Sequence, residues 1–283
     1  MAFLKNPKIT IVTVLKDDQP GFIKTADSLL KQEDFSYEWV IVDGSASSYA
    51  RDLIETDSYL KLNIRYLREE PTGIYQAMNT GWKAALGEYI LFLNAGDFFA
   101  SSKSTAILCD NLNPDLGFVA YPVIHLNSEN IVYAISVPKV VQIGKLETHA
   151  IMNHQGVIMK KSLLDTLGGF DESMRYASDG KLLDAAIEVS RFVFRDEIIV
   201  AFSFGGASAL NHKKVWSEIR TYRTITQTPL EIWRMGIKTQ LRGIFFRNYS
   251  NQYIRKLLNV FLRRRMQRVM INLKDQFERL DLI

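Results

Sequence analysis

The sequence predicts an α/β protein with a doubly wound first half, a looser second half and a basic helical extension at its carboxyl end. Three observations carry this. From Lys8 to Leu93 the apolar periodicity switches repeatedly between strand and helix. The run Tyr89-Ile90-Leu91-Phe92-Leu93 is continuously apolar, as a parallel strand covered on both faces is, and it ends abruptly in Asn94-Ala95-Gly96-Asp97. Charge divides at Asn211: residues 1–210 hold 19 Lys+Arg against 26 Asp+Glu, a balance of −7, whereas residues 211–283 hold 16 against 5, a balance of +11. We therefore expect a body over 1–210 and an extension over 211–283.

The elements follow in order. Residues 8–15 read as a strand, 21–32 as a helix with Ile23, Ala26, Leu29 and Leu30 at helical spacing, and 37–42 as a second strand ending at Asp43-Gly44-Ser45. Residues 63–67 give a third strand, 74–86 a helix and 89–93 a fourth strand, completing a β-α-β half. Beyond Asp97 the signals shorten. Helices are expected over 103–112, 162–167 and 179–189, and strands over 117–123, 131–137, 156–159 and 198–204, the last stopped by Gly205-Gly206. In the extension, Ile254, Leu257, Leu258, Phe261, Leu262, Val269 and Leu273 recur at three- and four-residue steps, with Arg255, Lys256, Arg263, Arg264 and Arg268 between them. That is a basic amphipathic helix.

Composition narrows the class. An apolar content of 47% and a charged content of 23% are those of a globular protein, and 283 residues suffice for one large domain with an appendage. The single cysteine, Cys109, allows no internal disulfide. The amino terminus carries Lys5 and Lys8 ahead of a strand and does not resemble a secretory signal. The uncharged stretch 198–210 is too short and too rich in Gly and Ser to span a bilayer, so a cytoplasmic chain is expected. The basic stretch matches none of the common nucleic-acid-binding modules, and no nucleic-acid partner is expected.

In an open α/β sheet, ligands gather beyond the carboxyl ends of the strands. Asp43 and the Asn94–Asp97 terminus fall there, and both suit polar recognition, since a carboxylate accepts hydrogen bonds from an imide N–H or from ribose hydroxyls. Each candidate also has a structural alternative. Asp43 suits a loop cap before Gly-Ser, Asn94–Asp97 a simple turn, Asp179 a helix N-cap, and His154 a satisfied core histidine.

Eight short pieces, in order, resemble the family-2 glycosyltransferases of the GT-A fold, and most closely the bacterial members that build surface polysaccharides. They are the strand at 9–14, Trp39-Val40-Ile41-Val42-Asp43-Gly44-Ser45, Gly73-Ile74-Tyr75-Gln76-Ala77-Met78-Asn79, Phe92-Leu93-Asn94-Ala95-Gly96-Asp97, His154-Gln155, Gly169-Phe170-Asp171, Ser178-Asp179 and Gly205-Gly206-Ala207-Ser208. The resemblance implies a Rossmann-like mixed sheet flanked by helices, and an inverting transfer of sugar from a nucleotide diphosphate, a UDP-sugar first, to a glycan or lipid-linked saccharide. It implies donor contacts at Thr13, Asp43, Gly73, Asn79, Asn94 and Asp97. Asp97 would hold Mn2+ or Mg2+, His154 and Gln155 would face acceptor or diphosphate, and Asp179 would be the general base, with Asp184 and Asp171 as alternatives. This sequence departs from the family at Thr72, Gln76 and Gly180-Lys181. For residues 252–273 two roles stay open: a contact with the inner face of the cytoplasmic membrane, or a packed hairpin or homo-oligomer contact. The other readings of the chain are a catalytically silent nucleotide-binding scaffold and a sugar nucleotidyltransferase. Against the second, residues 15–21 lack a glycine-rich, basic phosphate loop.

Overall fold

The computed structural model describes residues 7–203 and 211–223, apart from 35, 71, 127–131 and 144–146. The glycine pair at 205–206 and the expected amphipathic helix over 252–273 lie outside the described residues. In chain order the first half holds β1 (Ile9–Leu15), α1 (Gln19–Leu30), β2 (Tyr37–Asp43), α2 (Tyr49–Ile54), β3 (Asn63–Arg68), α3 (Ile74–Ala84), β4 (Tyr89–Phe92), β5 (Phe98–Phe99) and α4 (Ser104–Asp110). The second half holds β6 (Phe118–Ala120), β7 (Val123–Leu126), β8 (Val132–Ser136), β9 (Lys139–Ile143), β10 (Glu147–Ile151), β11 (Val157–Lys160), α5 (Lys161–Leu167), α6 (Ser178–Val189), β12 (Phe192–Phe194), β13 (Val200–Ser203) and α7 (His212–Tyr222).

A seven-stranded mixed sheet in the order β12-β6-β11-β4-β1-β2-β3 forms the body. Strands β1 to β4 are parallel; β11 is antiparallel to both β4 and β6, and β12 is parallel to β6. Six strands therefore end, and β11 begins, along one edge of the sheet, where an open α/β fold presents its ligands. Alternation along the strands feeds two cores. Ile9, Ile11, Trp39, Ile41 and Leu91 pack with Phe22 and Leu29 of α1 on one face. Val12, Val14, Val40, Val42 and Ile90 pack with Met78 and Trp82 of α3, Leu164 of α5 and Leu183 of α6 on the other. Burial on both faces explains why these strands read as nearly unbroken apolar runs.

The second half departs from its expected outline. The stretch 117–123 was expected as one strand; it divides into β6 and β7, which join different sheets, because Tyr121 N–H bonds Gly156 O at 2.8 Å and Pro122 has no N–H to continue a ladder. A four-stranded sheet, β5-β13-β7-β8, and the pair β9-β10 complete the fold, and β10 packs against α6. Strands β5, β9, β10 and β12 are too short or too polar for periodicity to have marked them. Helix α7, the first element beyond the charge boundary, packs on α6 and belongs with the preceding residues to one compact unit.

Candidate active site

Along the strand-terminal edge, the β1, β2 and β3 ends form a closed polar network. Asp43 is fully buried; its Oδ1 accepts from Ser45 N–H at 2.7 Å and its Oδ2 from the Tyr66 hydroxyl at 2.7 Å and Arg68 Nη1 at 3.4 Å. Arg68 also donates to the carbonyls of Ser45 and Ser47. Asp17, in the left-handed region at φ 52°, donates its N–H to the Ser45 hydroxyl and accepts the Ala46 N–H on its carboxylate, which ties the loop after β1 to the loop after β2. Thr13 lies deeper on the same face of the sheet. Its hydroxyl donates to Leu93 O at 2.7 Å and accepts from Trp39 Nε1 at 2.9 Å, so it ties three elements of the core together, and its full burial keeps it from a base or ribose.

The end of β4 differs. Its turn is clamped onto α1: Thr25 Oγ1 donates to Asp97 O at 2.7 Å, and Gly96 N–H reaches Gly21 O and Thr25 Oγ1, both at 3.0 Å. Gly96 sits at φ 93°, which a side chain would strain. The Asp97 carboxylate is thereby held inside the protein, with 4% of the residue exposed. Burial pushes its pKa up to about 7, against the pull of His154, Gln155 and Lys24. Two further oxygens, Asn94 Oδ1 and Gln155 Oε1, are buried without a hydrogen-bond partner. Among the described residues no three His, Cys, Asp or Glu side chains cluster as a metal site. The oxygens of Asp97, Asn94 and Gln155 are nonetheless the hard donors that Mg2+ or Mn2+ takes alongside phosphate and water.

Next to this turn stands a second acid. The short 3-10 turn His154–Gly156, ahead of β11, presents His154 Nδ1 to Asp179 Oδ2 at 3.0 Å; the other ring nitrogen lies 3.5 Å from Asn94 Nδ2. Because a carboxylate only accepts, Nδ1 carries the proton. Asp179 Oδ1 accepts from the Tyr75 hydroxyl at 3.0 Å, and Tyr75 stacks on Phe170 at a centroid distance of 5.5 Å. Burial opposes charge on both partners, yet their mutual attraction wins: His154 is raised and Asp179 lowered, the behaviour of an ion pair. Asp179 keeps 28% of its side chain exposed. Burial, and then the charge of Asp179, push Tyr75 upward, so its hydroxyl stays a donor.

The alternative acids are engaged elsewhere. Asp184 accepts from His149 Nδ1 at 3.1 Å and from Ala150 N–H at 2.8 Å, joining α6 to β10. Asp171 pairs with Lys181 at 2.6 Å and takes the Ser173 N–H and hydroxyl; these bonds hold its pKa down to about 2. Asn79, expected at the donor, is also structural. Its amide donates to Phe170 O (2.9 Å) and Glu172 Oε1 (2.8 Å), while its oxygen accepts from Trp82 Nε1 and Phe170 N–H, both at 2.9 Å. All four of its hydrogen-bonding positions are filled, and with 2% exposure it has nothing left for a donor. Gly73, the N-cap of α3, is extended at φ 173°, and a side chain there would meet no atom within 4 Å; it leaves the start of α3 open. The structure thus groups Asn94, Asp97, His154, Gln155 and Asp179, and adds Tyr75, Thr25, Tyr66 and Arg68, to which the sequence assigned no role. A tyrosine just inside a helix that follows glycine was the one available signal.

Comparison with known proteins follows the same lines. The model of Glycosyl transferase family 2 matches residues 10–115. The chain is 24% identical over 207 residues to the uncharacterized glycosyltransferase EpsJ of Bacillus subtilis, covering 68% of this chain and 59% of that protein. It is 24% identical over 266 residues to an uncharacterized glycosyltransferase of Mycobacterium tuberculosis, covering 91% of this chain and 97% of that protein. Among solved structures, S. aureus TarS in complex with UDP-GlcNAc superposes with a TM-score of 0.56 at 17% identity, over 71% of this chain and 59% of that one. The mannosyltransferase PcManGT of Pyrobaculum calidifontis, with GDP-Man and Mn2+, gives a TM-score of 0.53 at 14% identity, over 90% of this chain and 86% of that one. These two likenesses are likenesses of fold. The matched segment holds β1 to β4 and the Asn94–Asp97 turn: residues 10–115 match the family-2 glycosyltransferase model, and the mixed sheet is the fold shared with these two solved structures.

Proposed function

We propose that the chain transfers one sugar, with inversion, from a nucleotide-diphosphate donor to a hydroxyl of a glycan or lipid-linked saccharide in surface polysaccharide assembly. The observation that carries this is the adjacency of two unlike acids. Asp97 is buried among unpaired oxygens, and Asp179 is ionised, partly exposed and held by Tyr75 and His154. Two acids whose surroundings push their pKa values apart divide the labour of a displacement.

Asp179 takes the proton. Its carboxylate keeps a lone-pair position after Tyr75, His154 and the Gly180 N–H are served, and that position receives the acceptor O–H as the acceptor oxygen bonds the anomeric carbon. The nucleoside diphosphate departs from the opposite face, so the configuration inverts. His154 keeps Asp179 charged and oriented, and Tyr75 fixes its other oxygen. On the donor side, Asp97, with the amide oxygens of Asn94 and Gln155, would hold a divalent cation. Such a cation, when bound, neutralises the charge that develops on the leaving diphosphate. Gly73 leaves room for the donor at the start of α3, and the buried Asp43, through Arg68, would shape the wall beside the base or ribose.

A UDP-sugar is the donor proposed first; the solved neighbours carrying UDP-GlcNAc and GDP-Man support the nucleotide class rather than one base. Among the described residues no helix is long and apolar enough to cross a membrane. The excess of Lys and Arg beyond residue 211 supports a peripheral contact with an anionic membrane surface, where a lipid-linked acceptor resides. The test is a thermal-shift screen against UDP, GDP, dTDP and CMP with and without Mn2+. A ligand at a hundred times its dissociation constant stabilises by about 2.7 kcal/mol. One diphosphate stabilising only with the metal is the expected result, and no shift with any nucleotide would remove the donor site.

A further inference from the structure

Helix α6, which carries Asp179, starts without a cap of its own, because the N-cap residue is Ala177. The missing acceptor comes from α7. Glu218 Oε1 accepts from Arg175 N–H at 2.9 Å, and its Oε2 accepts from Tyr176 N–H at 2.7 Å and Ala177 N–H at 2.9 Å. Charge-assisted bonds of this kind, placed at the positive end of a helix, are the strong members of their class. One turn further along α7, Tyr222 approaches Gly180, the residue after Asp179. A Cβ built on Gly180 would lie 2.8 Å from the Tyr222 hydroxyl, so a side chain at 180 requires the end of the tyrosine to shift from its observed place. The two contacts bracket the acid: a carboxylate gathers the backbone just before it, and a ring occupies the space just after it.

We infer that Glu218 and Tyr222 form a latch through which α7 sets the position of Asp179 relative to His154 and Tyr75. This rests on the reading of Asp179 as the base. Both are positioning residues, since the bonds of Glu218 go to backbone N–H groups and Tyr222 packs at Gly180, and neither belongs to the acid pair itself. The sensitivity is physical: the bonds from Tyr75 and His154 are both 3.0 Å, and a small rotation at the start of α6 lengthens both at once. Misplacement of a catalytic group by about an ångström costs up to a hundredfold in rate.

The test uses the full chain and steady-state transfer kinetics. Glu218→Gln replaces one accepting oxygen by an NH2 that cannot serve the loop. It is expected to lower kcat by about tenfold, shift the acidic limb of the kcat–pH profile, and leave the donor KM within about twofold. Gly180→Ala is expected to lower kcat in the native background and to cost nothing further in a Tyr222→Phe background, where the displaced hydroxyl is gone. That non-additivity does not arise from a general loss of stability, and it remains measurable if Glu218→Gln fails to fold. A folded Glu218→Gln protein with native kcat and pH profile, or additive costs at 180 and 222, would overturn the latch. Asp179→Asn in the same assay separates the two claims: retained transfer removes the base and the latch together, whereas a dead Asp179→Asn beside a fully active Glu218→Gln removes the latch alone.

Discussion

Two stretches of the same sheet edge, equally acidic in sequence, are built in opposite ways. Beyond β2 and β3, Asp43 has partners on both oxygens, supplied by Ser45, Tyr66 and Arg68. Beyond β4, Asn94 Oδ1 and Gln155 Oε1 are buried with none, beside a carboxylate that burial pushes toward neutrality. An unpaired buried acceptor costs about 1–3 kcal/mol, and native interiors leave few of them. The first stretch is complete as it stands and shapes a wall. The second retains an unfavourable arrangement that a cation and a diphosphate would relieve. Where side chains are alike in type, the satisfied ones build and the unsatisfied ones bind.

The largest expected effect is at Asp179. Asp179→Asn keeps the shape and the Tyr75 bond but cannot take a proton, and kcat should fall by about 10²–10⁴ with nucleotide affinity retained. Native turnover in that variant would break the division between a base on one side and a donor site on the other. Asp97→Ala comes next. Mn2+-dependent stabilisation by nucleoside diphosphate should disappear in a thermal-shift titration, and a native metal-dependent shift would show that the orphan oxygens are not the cation's ligands.

Two asparagines sharpen the comparison within one residue type. Asn79→Ala strands two buried donors, Trp82 Nε1 and Phe170 N–H, so denaturant unfolding should show a loss of about 2–4 kcal/mol, with donor affinity unchanged below the transition. Asn94→Ala removes an acceptor that has no partner. Its stability should stay within about 1 kcal/mol of native while the metal-dependent nucleotide affinity falls. The reverse pattern would exchange the roles of the two residues.

The same distinction explains what was legible in the sequence. Strands β1, β2 and β4 were readable because burial on both faces writes a nearly continuous apolar run, and the acids at the strand ends were readable because the topology puts them at one edge. The second half was not, since β12 has three residues, β5 has two, and the division of 117–123 depends on a bond from Tyr121 to Gly156 far along the chain. The resemblance to the family pointed to Asp97, His154 and Asp179. It could not show that Thr13 is locked into the core and that Asn79 spends every hydrogen bond inside the fold, because those partners, Leu93, Trp39, Phe170 and Glu172, are distant in sequence. Nor could it show Glu218, whose carboxylate matters only because α7 folds back onto the loop at 175–177.

The smallest expected effect is at Asp171, and it tests the acid assignment from the stability side. Lys181 and Ser173 hold its pKa down to about 2, below the ordinary carboxylate value of 3.8. A lowered pKa means that the folded state prefers the charged form. Its contribution is therefore complete above about pH 4 and lost as pH falls through 2, and for a group with 27% of its side chain exposed it amounts to about 1–2 kcal/mol. Asp171→Asn should lower unfolding stability by that amount at pH 7, and the gap should close as the comparison is carried down toward pH 2. Transfer should be untouched, because Asp171 serves the loop before α6 rather than the acceptor. A normal stability profile combined with collapsed kcat would move the base from Asp179 to Asp171 and dissolve the pairing with His154 on which the donor and acceptor sides are told apart.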